Sequence, residues 1–140
     1  MKNNDQNTNA FLIHISSFAG FLFPLGSIIT PLILWQTLKE RSQFLDDQGK
    51  EAVNFNISYA LYIFILGISF IPIFFGTFFN NTSHHLDFGF DIDNGLLGVL
   101  GIISLASIVG FIKIALVIIA AIKSKEGESY KYPFTIKFIK

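Results

Sequence analysis

The chain contains no cysteine. Disulfides and thiolate metal sites are excluded, and the redox compartment is left open. Charge is also scarce. Only 14% of the 140 residues are Asp, Glu, Lys or Arg, too few to keep the surface of a soluble domain wet. The formal net charge is zero, so there is no basic footprint for a nucleic-acid partner. No P-loop, dinucleotide fingerprint, Ser/His/Asp motif or pair of intramembrane aspartates occurs. The sequence therefore predicts no enzyme, no catalytic residue and no cofactor.

What is present is apolar. Half of the residues are hydrophobic, 17 of them Phe. They gather into three runs, at residues 10–35, 53–79 and 96–122. His14 is the one ionisable residue of the first and Lys113 that of the third, while the second has no Asp, Glu, Lys, Arg or His. As helices the runs would be about 40 Å long at 1.5 Å per residue. A hydrocarbon core is about 30 Å thick, so each is long enough to cross it. The expected fold class is all-α: a single helical membrane domain over residues 10–140 with three transmembrane segments and an interfacial C-terminal tail. Residues 1–9 are polar and read as disordered. One lysine, Lys2, precedes the first run, which continues past the small residues Ser17–Ala19, so a cleaved signal peptide is not expected. The lipid bilayer is the implied partner, with a homo-oligomer or another membrane protein beside it.

The first run is interrupted by Pro24, Gly26 and Pro31. Proline removes a backbone donor and clashes with the preceding turn. The run is expected to be one kinked span, or else split at Pro24/Pro31 into a re-entrant hairpin. Irregular backbone at depth is tolerated when protein or water covers it.

Lysine and arginine mark cytoplasmic segments. Loop 36–52 carries Lys39, Arg41 and Lys50, and tail 123–140 carries five lysines, whereas loop 80–95 has neither Lys nor Arg. The expected protein is a multi-pass protein of the cell membrane, with loop 36–52 and the C-terminus cytoplasmic and loop 80–95 outside. Loop 36–52 reads as an amphipathic lead-in whose Asp46 or Asp47 caps the helix that follows.

A few polar residues stand inside the apolar runs. Asn54 and Ser58 are four apart and share one helix face, while Asn56 is turned away from both. The amides suit helix packing, or the lining of a polar path. Lys113 lies nine residues before the end of its run, near the bilayer centre. A lysine there costs about 2.5–3.5 kcal/mol on insertion scales and is a functional candidate by default. It is expected to face the bundle interior. Small residues recur every third position from Gly95 to Gly110 and suit close helix packing. In the outer loop His84, His85, Asp87, Asp91 and Asp93 are metal-ligand types, but their spacing matches neither a zinc helix nor a complete calcium loop. No metal site is expected.

Gly127 is placed to end the third helix. Beyond it Pro133 blocks helix, and Phe134, Ile136 and Phe138 alternate with Thr135 and Lys137. That period of two gives an extended segment with one apolar face. Tyr130, Tyr132 and the lysines suit the headgroup zone.

Three stretches in order, "TPLILW" at 30–35, "GKEAVNFNIS" at 49–58 and "AAIKSKEGESYKYPFTIKFI" at 120–139, resemble a family of small bacterial membrane proteins. That family is similar to the Tic-type component of the chloroplast inner-envelope import machinery. Lys50, Glu51, Asn54 and Phe55 match its pattern, as do Gly127, Tyr132 and Pro133, while Lys113 stands where it carries an apolar residue. The resemblance implies a non-enzymatic membrane module of assembly or interaction, related to transport or protein translocation. The alternative is a small-solute or ion pathway formed by the bundle. Candidate functional residues are Lys113, Asn54, Asn56, His14, Lys50, Glu51, Tyr132 and Pro133.

Overall fold

The computed structural model describes residues 2–81 and 97–140, all helix, turn or irregular chain. Four α-helices run α1 (Lys2–Ile15), α2 (Gly26–Leu38), α3 (Gln43–Asn81) and α4 (Leu97–Lys125). A 3-10 helix, Ser16–Phe21, follows α1, and a 3-10 turn, Lys39–Arg41, follows α2. Two of these helices are long and apolar enough to cross a membrane, α3 over Gln43–Ile71 and α4 over Ile103–Lys125. The first apolar run, residues 10–35, does not form such a helix among the described residues.

The first run does not form a single kinked rod. It breaks at residues 22–25, where Leu25 takes a left-handed φ of 63°. Beyond the break α2 turns back along α1. Ala10 and Ile13 of α1 share a core with Leu34 and Leu38 of α2, and Gly20 faces Ser27 near the turn. These pairings step in opposite directions along the two helices, which is the register of an antiparallel hairpin. Gly26 permits the closure, because a Cβ there would strike the carbonyl of Ala19. Pro24 marks the break, but Pro31 does not. It lies inside α2, where its missing N–H deprives only the Ser27 carbonyl of a partner.

Two further expectations need correction. Residues 2–9 are not disordered but form the first turns of α1, with Asn7 against Gly127 after α4. Helix α3 begins at Gln43, ten residues before the apolar run it carries. Its cap is Ser42, in extended geometry, whose Oγ accepts the N–H of Leu45 at 3.3 Å. Asp46 has other partners: it accepts the Trp35 indole N–H at 2.8 Å and pairs with Lys50 at 2.6 Å. The indole lies directly over Gly49, where a Cβ would clash with the ring.

Helix α4 ends as expected at Gly127, whose φ is +84°. The N–H of Glu128 bonds the Lys123 carbonyl at 2.9 Å and that of Gly127 the Ser124 carbonyl at 3.1 Å, the paired closure of a Schellman motif. The predicted packing role of the small-residue row is not seen at Gly101 or Gly110, where a Cβ would meet nothing within 4 Å. The outer-loop residues His84, His85, Asp87, Asp91 and Asp93 lie outside the described residues.

The chain divides into two compact units. Unit 1, residues 1–61 and 113–140, holds the hairpin, the first half of α3, the end of α4 and the tail. Unit 2, residues 62–112, holds the remainder of the two long helices.

Candidate functional site

The polar residues of unit 1 converge on the tail. Gln48, Glu51, Asn54 and Ser58 are spaced three, three and four apart along α3, which keeps them within about a 120° arc of the helix. Each holds a piece of tail backbone. Gln48 Oε1 accepts the N–H of Tyr130 at 3.2 Å, and Glu51 Oε2 that of Tyr132 at 3.4 Å. Asn54 Oδ1 accepts the N–H groups of Phe138 and Ile139 at 3.1 and 2.9 Å, while its Nδ2 donates to the Ile139 carbonyl at 2.8 Å. Ser58 Oγ accepts the N–H of Ile136 at 2.9 Å. Within the tail the N–H of Phe138 also reaches the Ile136 carbonyl at 3.1 Å; otherwise these side chains stand in for a neighbouring strand. The order of contacts shows the tail climbing α3 as far as Ser58 and returning to Asn54. Pro133 and Phe134 sit in a turn, and Phe134 has the positive φ, 59°, that a type II turn asks of its third residue.

Behind this ladder lies a buried polar chain. His14 Nδ1 is 3.0 Å from the Tyr132 hydroxyl, and its Nε2 is 3.1 Å from Gln48 Oε1. All three side chains are buried. An amide oxygen only accepts, so Nε2 carries the proton and Nδ1 receives that of Tyr132. The same amide oxygen accepts the Ser124 hydroxyl at 3.1 Å, and Gln48 Nε2 donates to Ser129 Oγ at 2.9 Å. Gln48 thus joins α1, α4 and the tail to α3. His14 lies at the level of Gln48, ahead of the apolar stretch of α3. Burial pushes its ring down from the usual 6.5 to about 4, against the opposing hydrogen bond to Gln48. Burial likewise raises the Tyr132 phenol well above its ordinary value, so it stays a donor. The Tyr132 ring stacks on Phe55 with centroids 4.0 Å apart, within a core shared with Val117 and Ala120.

The two asparagines serve different neighbours, as their separation of about 160° around a helix requires. Asn54 belongs to the tail ladder. Asn56 Nδ2 donates to Ser17 Oγ in the hairpin and to the Ala52 carbonyl, both at 2.8 Å. Lys113 joins neither group. Its stem is half-buried, and Nζ stands 4.2 Å from the centroid of the Tyr59 ring on α3, a cation–π contact. Lys50 and Glu51 border a mixed-charge cleft of about 260 Å³ between α3 and the tail, with Asp47, Lys131, Lys137 and Lys140. Pro133 is exposed in its turn. Sequence reasoning missed Gln48 altogether. Its signal was the helical spacing from Gln48 to Ser58.

Among the described residues no three His, Asp or Glu side chains come together as a metal site. Within the apolar part of α4, Ser104 and Ser107 each bond a carbonyl of their own helix at 2.7 Å. The arrangement fastens α1, α4 and the tail to α3.

No curated protein and no solved structure matches the chain. The resemblance to the Tic-type import component is overturned by a family model of a different description, MamF/MmsF, which matches residues 5–139. The match takes in the hairpin, both long helices and the tail, and the chain belongs to the magnetosome magnetite crystal formation protein family.

Proposed function

We propose that this chain is a non-enzymatic, multi-pass membrane protein that serves magnetosome magnetite formation as an assembly module. The observation that carries this reading is where the polar side chains go. A solute or ion pathway needs a continuous polar lining through the bilayer. Here Gln48, Asn54, Ser58 and His14 are occupied by the tail, and Asn56 by the hairpin. What they stabilise is the packing of tail and hairpin on α3 within unit 1.

In this reading α3 and α4 cross the membrane. The hairpin dips into one leaflet and returns. With 13 residues, α2 is about 20 Å long, short of a 30 Å core. Ser17 is tied to Asn56, about one turn inside the apolar stretch of α3. The hairpin tip lies about 10 Å further on at 3-10 rise, near mid-bilayer. Loop 36–52 carries Lys39, Arg41 and Lys50, and Lys50 shares a cleft with Lys131, Lys137 and Lys140 of the tail, so this end is read as cytoplasmic.

The test is removal of the chain from a magnetite-forming cell and its replacement by wild type or by Gln48→Leu. Crystal dimensions measured by electron microscopy should change on removal, return with wild type and return incompletely with Gln48→Leu. Crystals unaltered by removal would overturn the reading.

A further inference from the structure

Unit 1 places more chain around its two crossing helices than crossing requires. The hairpin tip presents Phe21, Leu22 and Leu25 at 75, 85 and 64% exposure. The tail adds Ile136 and Phe138, also exposed, although its backbone is tied to Ser58 and Asn54. Ser58 lies six residues beyond Ala52, about 9 Å along α3. Ile136 therefore sits at the depth of the helix's apolar stretch, and Phe138, tied to Asn54 beside Lys50 and Glu51, at its edge. On the same unit Leu61, Ile118, Ile119 and Ile122 are exposed too. Hairpin and tail continue the apolar surface that α3 and α4 turn to lipid. Their occupant is the acyl region of a single leaflet. Unit 2, taken by itself, contributes two helical stretches among its described residues.

We propose that the hairpin and the tail form a one-sided wedge, so that the chain accumulates where the leaflet holding them is convex. This rests on the reading of the hairpin as dipping into the cytoplasmic leaflet. Side chains inserted into one leaflet spread its headgroups. Convex curvature spreads them already, so insertion there meets less resistance. A molecule with its tail on the outer face of a small vesicle is favoured. One with its tail in the lumen is disfavoured.

The absence of cysteine makes the test clean, since each introduced thiol is the only one. Full-length Lys131→Cys protein is reconstituted into phosphatidylcholine–phosphatidylglycerol vesicles of about 40–400 nm, a range over which lipid packing changes with curvature. An impermeant thiol dye counts molecules with the tail outside, and a second, permeant dye counts the remainder. The fraction with the tail outside should rise about two- to threefold between 200 and 50 nm, an order-of-magnitude expectation for curvature-sensitive insertion. Adding Phe21→Ser and Leu22→Ser, both at exposed positions, should flatten the dependence. A fraction independent of diameter, or a dependence that survives these substitutions, overturns the wedge. A separate Leu22→Cys probe with depth quenching reports on the hairpin itself. Quenching at the headgroups alone would remove the underlying topology, whereas quenching near mid-bilayer with a flat orientation ratio would remove the wedge only.

Discussion

At the scale of single residues, close contacts and buried polar groups set the expectations. Trp35 packs closely against Gly49, so Gly49→Ala overpacks the α2–α3 junction. It should destabilise unit 1 by about 1–3 kcal/mol, read as a lower melting temperature in detergent with Gly49→Ser at least as low. His14 carries a pH dependence. Its folded value of about 4 lies below the unfolded 6.5, so between these limits the unfolded chain binds more protons at this ring. Its contribution is complete above 6.5 and drains as the pH falls toward 4, by at most about 1.4 kcal/mol per unit. Thermal melts from pH 7.5 to 4.5 should show this loss, and His14→Gln should remove its share of the slope. The sequence disclosed His14 as the one titratable residue in its run. It did not disclose why a histidine is there, because Gln48 and Tyr132 lie 34 and 118 positions away.

At the scale of elements, the tail is held by α3 rather than by itself. Asn54 makes three of its backbone hydrogen bonds. Asn54→Leu should release residues 136–139, raising their amide exchange at least tenfold, since three bonds of about 1 kcal/mol each are lost. Exchange at Tyr130, held by Gln48, should change less. That helix stops before the tail was legible from Pro133, but the alternation of Phe134, Ile136 and Phe138 foretold one extended run where the chain turns at 133–134 and bends at 138. The Gly127 stop was legible too, because a left-handed helix end favours glycine whatever surrounds it. The start of α3 was not. Residues 43–52 are charged and carry no apolar run, yet they continue the helix because Leu45, Gln48 and Ala52 are covered by the hairpin and α4. Propensity yielded to tertiary packing. The hairpin was readable as a possibility in Pro24 and Gly26, but its closure depends on Ala19 meeting Gly26, a fact of geometry rather than of composition.

At the scale of the whole molecule, apolar length foretold helices, and two of them are long and apolar enough to cross a membrane. Residues 10–35 form a run as long as the others, but the chain reverses at 22–25, so that length does not become one rod. Purified protein in liposomes should pass neither protons nor small ions above the protein-free background. Lys113→Leu should leave this unchanged, since Lys113 is stacked on Tyr59 rather than set in a polar path; sustained flux in either would contradict the assembly reading. The ladder on α3 also bears on how the protein is made. Residues 128–139 leave the ribosome after every side chain that grips them. Until then Gln48 and Asn54 lack their backbone partners, and His14 lacks Tyr132. A half-made chain is thus left with several polar groups short of their partners, and unit 1 completes its packing only when the tail arrives.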